Sequence, residues 1–558
     1  MEFKQVDFPM TFYFGGLFLA LIVSICVKHK RRSMCSRETI TTKPATIPSS
    51  VSVHMMPNAI SMLLNPRKFM LRAEYYSNTF IPIRVRLLVK DIYIIRGVEN
   101  MKKLWRESAH SSSTELHGSF HSKVLGMPKA ASALYKKDNS GCTSKPHANS
   151  NIQPNNRIDY ITHQVLKEFL QRPTCHQLAT KFAVSMREQF LSLDIKDDWV
   201  QMPDLLHFFE SELLTANLKV TYGSKLLELQ SGFCDDFWQF SHHMCGFARP
   251  FSRWTMGFAH ASRRRVLDTI KTWQRSIIDG EDANEATDIS EPYWSNTDIR
   301  KWYSRFTSMD GFNDDAVASL YLGIIWVSNY NFILAIYWMV LEVFRDQDLL
   351  ERIRDSLQDE AMESQTFPEE KFPLLHSALA ETLRLHTEAY IIRRFIHKSV
   401  TFGGKWVVPA NETCFASTHP AHQDESVWNT YGGAHPLDSF WAERFLVFPT
   451  DNLSGPLNPA YKERVKVSNN TDHGSAAPPS GRFSLEGLSA SWIPFGGGPR
   501  ACIGRHIAKQ QILSCFVFLV RNFIIEVGSI DVNVDERNYG LGMQLPDRKT
   551  SFKICRRL

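Results

Sequence analysis

The densest chemistry in this sequence stands near its C-terminus, in the run Phe495-Gly496-Gly497-Gly498-Pro499-Arg500-Ala501-Cys502-Ile503-Gly504. Cys502 closes a glycine-rich turn directly before the helical pattern RHIAKQQILSCFVFLV. A helix N-terminus and its free N–H groups favour the thiolate, which is the metal-binding form of cysteine. Gly498 and Gly504 let the backbone turn tightly and approach the sulfur. Arg500 carries a guanidinium suited to a carboxylate partner. Taken alone, the run also reads as a glycine-rich turn that happens to contain a cysteine. The other cysteines (26, 35, 142, 175, 234, 245, 414, 515 and 555) form no CxxC pair and no Cys/His cluster at zinc spacing. Neither a zinc site nor a disulfide framework is indicated.

A second constellation removes the ambiguity. In LLHSALAETLRLH, apolar Leu375, Ala378, Leu379 and Leu383 mark a helix, with Glu381 and Arg384 three apart on a neighbouring face. By itself ExxR is common and usually a surface ion pair. Further on comes Phe440-Trp441-Ala442-Glu443-Arg444-Phe445. Together, in this order, the three motifs resemble those of the cytochrome P450 family, whose heme-binding signature repeats Phe, Gly, Arg, Cys and Gly at this spacing. The PERF segment of that family has Ala442 here in place of proline. The resemblance implies heme b with Cys502 as axial ligand to the iron, Phe495 shielding the sulfur and Arg500 pairing with a propionate. A thiolate ligand pushes electron density onto iron and favours O–O cleavage. Arg394, ahead of Gly403-Gly404 and Pro409, becomes a second propionate partner. Glu381, Arg384 and Arg444 become a buried charge network behind the heme loop, serving geometry rather than catalysis. The family often has a Trp four residues before an Arg; here Trp105 is followed at that spacing by Ala109, so no propionate partner is assigned there.

Members of the family usually pair an acid and an alcohol in a long central helix to relay protons during oxygen activation. The aligned stretch is Val327-Ser328-Asn329-Tyr330-Asn331-Phe332, with Tyr330 at the acid position and Asn331 at the alcohol position. A branch containing sterol hydroxylases and prostacyclin synthase also carries Asn there. An amide donates hydrogen bonds and holds a water, but it is a poor proton donor. Asn331 is therefore the expected distal residue, ordering a water; the alternative is that it satisfies a helix carbonyl.

These residues need elements to position them. After Asn313, an N-cap residue followed by Asp314 and Asp315, the chain runs without charge to Glu342. Its length would allow a membrane span, but Ser328, Asn329, Tyr330 and Asn331 at its centre point to a core helix facing a pocket. Residues 158–365 read as mostly helix, and IPIRVRLLV and IYIIRG as short strands. The polar stretches 138–156 and 453–482 read as a surface loop and an insertion. The expected fold is mostly α with a small β region, the cytochrome P450 fold.

From Phe8 to Val27 no residue is charged, enough for one transmembrane helix across roughly 30 Å of hydrocarbon. Lys28, Lys30, Arg31 and Arg32 follow it and place the remainder in the cytosol by the positive-inside rule. The expected organisation is an anchor at 8–27, a basic flank and linker at 28–50, and a heme-thiolate catalytic domain at 51–558 on the endoplasmic reticulum membrane. Sequons at Asn411, Asn452 and Asn469 would go unused in that topology.

The net charge of +6, dispersed over 64 basic and 58 acidic residues, gives no concentrated patch for nucleic acid. No flavin or nicotinamide fingerprint is evident, so the resemblance implies electrons from a separate NADPH-cytochrome P450 reductase, for which Arg505 and Lys509 form a basic pair one turn apart. They read equally well as solvated residues. The expected function is O2-dependent oxidation of a hydrophobic small molecule, a secondary-metabolite terpenoid, sterol or polyketide. Segments 386–392 and 539–544 match the family's pocket-lining regions. A heme-thiolate isomerase or dehydratase needing no external electrons, and a non-catalytic heme-binding membrane protein, remain open alternatives.

Overall fold

The computed structural model describes residues 45–46, 58–74, 76, 80–87, 91–170, 172–247, 249, 252–280, 292–359, 366–465, 481–528 and 531–557. The expected anchor at 8–27 lies outside them. Of the 28–50 segment only Ala45–Thr46 is described, as a short strand parallel to Ile83–Arg86. The helices that build the site are α1 (Val98–Glu107), α2 (Thr114–Lys123), α3 (Ile158–Phe169), α4 (Leu205–Tyr222), α5 (Gly257–Ile278), α6 (Asp314–Arg345), α7 (Pro373–His386) and α8 (Arg505–Asn522). The strands are β1 (Ile83–Arg86), β2 (Asp91–Ile94), β3 (Thr387–Arg394), β4 (Thr413–Ser417) and β5 (Leu541–Met543). The fold is mostly helical with a small β region, as expected.

Helix α6 is the axis of the core. Asn313 Oδ1 accepts from the Ala316 N–H, and Asp314 and Asp315 sit in the first turn, where the helix dipole favours negative charge. Its apolar residues point in every direction, and α4, α5, α7 and α8 cover them. The helix is long and apolar enough to span a membrane, yet most of it is buried in protein. A helix apolar all round belongs in such a core.

Proline at the first position of α7 pre-sets the helical φ. The helix runs without a loop into β3, so the charge motif and the strand form one rigid unit. β3 pairs antiparallel with β4, with Arg394 opposite Thr413, and with β5 on its other side, with Glu388 opposite Gly542. β2 completes this part of the sheet by a parallel pairing to β4. The 138–156 stretch is pinned by its own polar groups. Asp138 accepts from the N–H groups of Ser140 and Asp159, which fixes the start of α3. In the 453–482 stretch, residues 466–480 lie outside the described residues.

Candidate functional site

The loop before α8 closes on itself. The Cys502 N–H donates to the Phe495 carbonyl at 2.9 Å and the Ala501 N–H to that of Gly498 at 3.1 Å. Gly496 (φ 67°) and Gly498 (φ 65°) take left-handed conformations that favour glycine. A Cβ at Gly497 would lie 2.5 Å from the Trp105 ring. Trp105 of α1 therefore packs directly on the glycines. Gly504 keeps half of its expected role: its N–H approaches the sulfur, but its φ is −78°, and an added Cβ would meet Cys502 Sγ at an ordinary 3.9 Å. The backbone does not demand glycine there.

The Cys502 thiol is exposed, yet enough protein surrounds the sulfur to push its pKa up. The N–H groups of Gly504 and Arg505 and the Arg505 charge act in the opposite direction. It thus opens onto a recess rather than the outer surface. Arg505 donates to the Cys502 carbonyl at 3.0 Å, and Lys509 lies 5.4 Å from the Trp492 ring. Phe495 meets Trp492 edge-on, with ring centroids 6.2 Å apart.

The two arginines singled out for propionates part company. Arg500 holds Asp159 at 2.7 Å and the Ser111 carbonyl at 2.8 Å, while its Nε is buried without a partner. Arg394 instead pairs with Glu115 and donates to the Asn411 carbonyl at 3.0 Å. The structure does not bring it to Arg500. Its neighbour Arg393 points to the opposite face of β3, as strand alternation requires. Arg393 is buried, has an unpartnered Nε, and bonds no carboxylate among the described residues. Burial and the nearby Arg500 guanidinium pull its pKa down to about 10. His117 of α2 stands within electrostatic reach of Arg393, Arg500 and Asp159. Two guanidiniums facing one carboxylate leave a buried cation that an added carboxylate would complement.

Behind the loop, the structure brings Glu381, Arg384 and Arg444 together, all fully buried. Arg384 donates to both Glu381 oxygens at 2.7 and 2.9 Å, and Arg444 Nε to Glu381 Oε1 at 2.9 Å. The remaining guanidinium hydrogens reach the carbonyls of His422, Leu437, Asn429 and Pro436. Burial would raise the Glu381 pKa, but the two guanidiniums outweigh it and hold the carboxylate below its ordinary value. The network reaches the loop through His422, whose Nε2 accepts the Ile493 N–H at 3.0 Å, and through Trp492, whose Nε1 donates to the Ala380 carbonyl at 3.0 Å.

On α6 one stripe is less buried than the rest of the helix. Ile324 is half-buried, Val327 is 53% exposed, Ser328 is exposed and Asn331 is half-buried, a spacing of one helical face. The stripe lies between Leu125, beside Gly323, and β5, beside Asn331. Asn331 Oδ1 accepts the Met543 N–H of β5 at 2.9 Å, so it satisfies a strand N–H and not a helix carbonyl. Gly542 permits the approach, since a Cβ there would fall 2.2 Å from Asn331 Oδ1. Tyr330 points away, fully buried between Trp326 and Trp238. A separate cavity of about 520 Å³ between α5 and α6, near Arg253 and His260, contains none of these residues.

The residues fit a heme: an open thiol on an N–H-lined loop and a buried guanidinium lacking a carboxylate, in a fold whose central helix keeps one less buried face. Residues missed in the sequence are Arg393, His117 and Trp105 as the glycines' packing partner. Strand alternation was the one available signal, for Arg393. Comparison with known proteins agrees with the geometry. The sequence model of cytochrome P450 matches residues 236–447 and 478–553. The cytochrome P450 monooxygenase fsoE of Humicola fuscoatra is 30% identical, over 92% of this chain and 88% of its own. The cytochrome P450 monooxygenase efuG of Hormonema carpetanum is 27% identical over the full length of both. Among solved structures, the retinoic acid-bound cyanobacterial CYP120A1 superposes with a TM-score of 0.61 at 14% identity, covering 93% of this chain and 100% of that one.

Proposed function

Because this chain belongs to the cytochrome P450 family and is a heme-dependent monooxygenase, we propose that it oxidises a hydrophobic secondary metabolite, a terpenoid, sterol or polyketide, using electrons from NADPH-cytochrome P450 reductase. Heme bound through a cysteine thiolate supplies the oxygen-activating chemistry. In this chain Cys502 is the ligand we assign, and its loop carries the reading, because the thiol opens onto the recess while two N–H groups favour its anionic form. Arg500 and Arg393 would hold the propionates, with Asp159 fixing Arg500 in place. Phe495, held edge-on against Trp492, would shield the sulfur once heme covers it, which would tune the metal through its surroundings. Glu381, Arg384, Arg444 and His422 hold the loop's backbone. Asn331 ties α6 to β5 through Oδ1, and its Nδ2 would order a water beside the substrate.

The pocket wall supports an apolar substrate: Ile324 and Val327 share the open stripe with just two polar side chains, Ser328 and Asn331. Three fungal relatives, fsoE, efuG and calL of Penicillium decumbens, are named as monooxygenases, which supports oxygenation over rearrangement. We place the enzyme on the endoplasmic reticulum membrane, anchored by residues 8–27 with the catalytic domain cytosolic; the uncharged run and its basic flank support this. The decisive experiment supplies the holoenzyme with reductase, NADPH, labelled O2 and the metabolite that accumulates in a deletion strain. Label in the product is expected. A product formed without O2 or NADPH would replace oxygenation by isomerisation.

A further inference from the structure

We propose that Ser328 is the distal hydroxyl of this chain, a hydrogen-bond donor to ligands in the recess, oriented by a buried relay of amides through Asn329, Asn217 and Gln511. The assignment rests on the heme-thiolate reading above. It moves the alcohol one helical turn from position 331, where an amide stands instead.

Three observations carry it. Ser328 is exposed at the centre of an otherwise buried helix, next to Val327 on the least buried stripe of α6. An ordinary core serine would be packed. Next, three amides are buried behind it at 4% exposure or less: Asn217, Asn329 and Gln511. Burying amides is costly unless each finds partners, and their partners form one directed chain. Gln511 Nε2 donates to Asn217 Oδ1 at 3.2 Å, and Asn217 Nδ2 donates to Asn329 Oδ1 at 2.8 Å. Asn329 Nδ2 then donates to the Ile325 carbonyl at 2.7 Å and to Ser328 Oγ at 3.3 Å. Each amide orientation is set by the one before it, so Ser328 Oγ receives a hydrogen bond and keeps its own hydrogen to give.

The third observation concerns where that hydrogen goes. Ser328 Oγ also donates to the Ile325 carbonyl at 3.2 Å, the back-bond expected of a serine with only a structural role. That carbonyl already has the shorter bond from Asn329. The hydroxyl can therefore rotate into the recess without leaving a buried acceptor unpaired. Asn217 and Gln511 belong to α4 and α8 and act through Asn329, so they are positioning residues. The arrangement couples α4 and α8 to the hydrogen-bonding power of the recess.

The test reads the carbon monoxide complex of the reduced holoenzyme. A hydroxyl donating toward the ligand lowers the C–O stretching frequency, so Ser328→Ala should raise it and speed carbon monoxide release about two- to tenfold, the range of one neutral hydrogen bond. Ser328→Thr, which restores a hydroxyl, should return both toward wild type. Asn217→Leu removes the relay without touching the recess and should broaden or shift the band in the same direction as Ser328→Ala. An unchanged band and release rate in Ser328→Ala would overturn the assignment. A shift in Ser328→Ala with none in Asn217→Leu would overturn the relay. The thiolate-type absorption of each variant tests the underlying heme-thiolate reading separately.

Discussion

The two sides of the recess are built by opposite means. Below it, full charges are buried without exposure, and Glu381, Arg384 and Arg444 satisfy one another and a set of carbonyls. Above it, the polar groups are neutral: Ser328 and Asn331 on the open stripe, with amides behind. An ionic network of this kind has steep geometric demands, because losing one member strands a buried charge. A neutral amide lattice loses less when altered and leaves room for variation. The lower side therefore specifies the cofactor loop, and the upper side is where the chain adapts to its substrate.

The comparison breaks most completely at Cys502. Cys502→Ser should abolish thiolate-type carbon monoxide absorption and oxygenation, because a hydroxyl is not an anionic soft ligand. Retained thiolate absorption would remove Cys502 from its role. Next comes the network. Glu381→Ala or Arg444→Ala should cost about 3–5 kcal/mol of stability and most heme occupancy, by leaving buried partners unpaired. Calorimetry and heme quantification of the purified variants would check this. Normal occupancy with unchanged stability would mean that the lower side is no more demanding than the upper.

A buried carboxylate elsewhere sharpens the point. Glu74, at the end of the Pro66–Glu74 helix, is as buried as Glu381, but its carboxylate is short of partners, with the Ser417 hydroxyl as its nearest hydrogen-bonding group. Burial pushes its pKa up to about 8, Glu388 adds repulsion, and Ser417 and Arg96 offset this only in part. Its folded pKa is raised, so the stability it allows is fully present below the unfolded value near 4.5 and is lost as pH rises toward 8. Glu74→Gln should thus be neutral at pH 4 and gain roughly 3 kcal/mol at pH 7. Glu381, with its lowered pKa, works in the other sense: its contribution is present above the unfolded carboxylate value and lost as pH falls through the folded one. Denaturant melts of wild type and Glu74→Gln across pH would test the contrast; a gain independent of pH would refute it.

How much of this was legible follows the same division. The lower side is read from short motifs, since Cys502, Glu381, Arg384 and Arg444 are local signals on a loop, a helix and a turn. The helical character of α6 and its place in the core were legible too, from its cap and its polar centre. What sequence could not supply was direction and distance. Arg393 and Arg394 are adjacent, and only the pairing of β3 with β4 decides which faces inward. Asn331 meets a partner 212 positions away, and Asn217 meets Gln511 across 294. No periodicity encodes such contacts. At Gly504 the motif names a residue whose N–H does reach the sulfur, while the backbone there needs no special conformation.

The smallest expected effect separates two roles of one side chain. Asn331 accepts the Met543 N–H through Oδ1, and no hydrogen bond donated by its Nδ2 is seen among the described residues. Asn331→Ala removes both functions and strands the Met543 N–H, which should cost about 1–2 kcal/mol and loosen β5 against α6. Asn331→Asp keeps an acceptor for Met543 and removes only the amide donor. If the tether alone matters, Asn331→Asp should match wild type in melting temperature and in the ratio of product formed to NADPH consumed. If Nδ2 also orders water in the recess, Asn331→Asp should keep its melting temperature while coupling falls, and Asn331→Ala should lose both. Coupling unchanged in both variants would remove Asn331 from the chemistry and leave it as the bond that holds a pocket strand to the central helix.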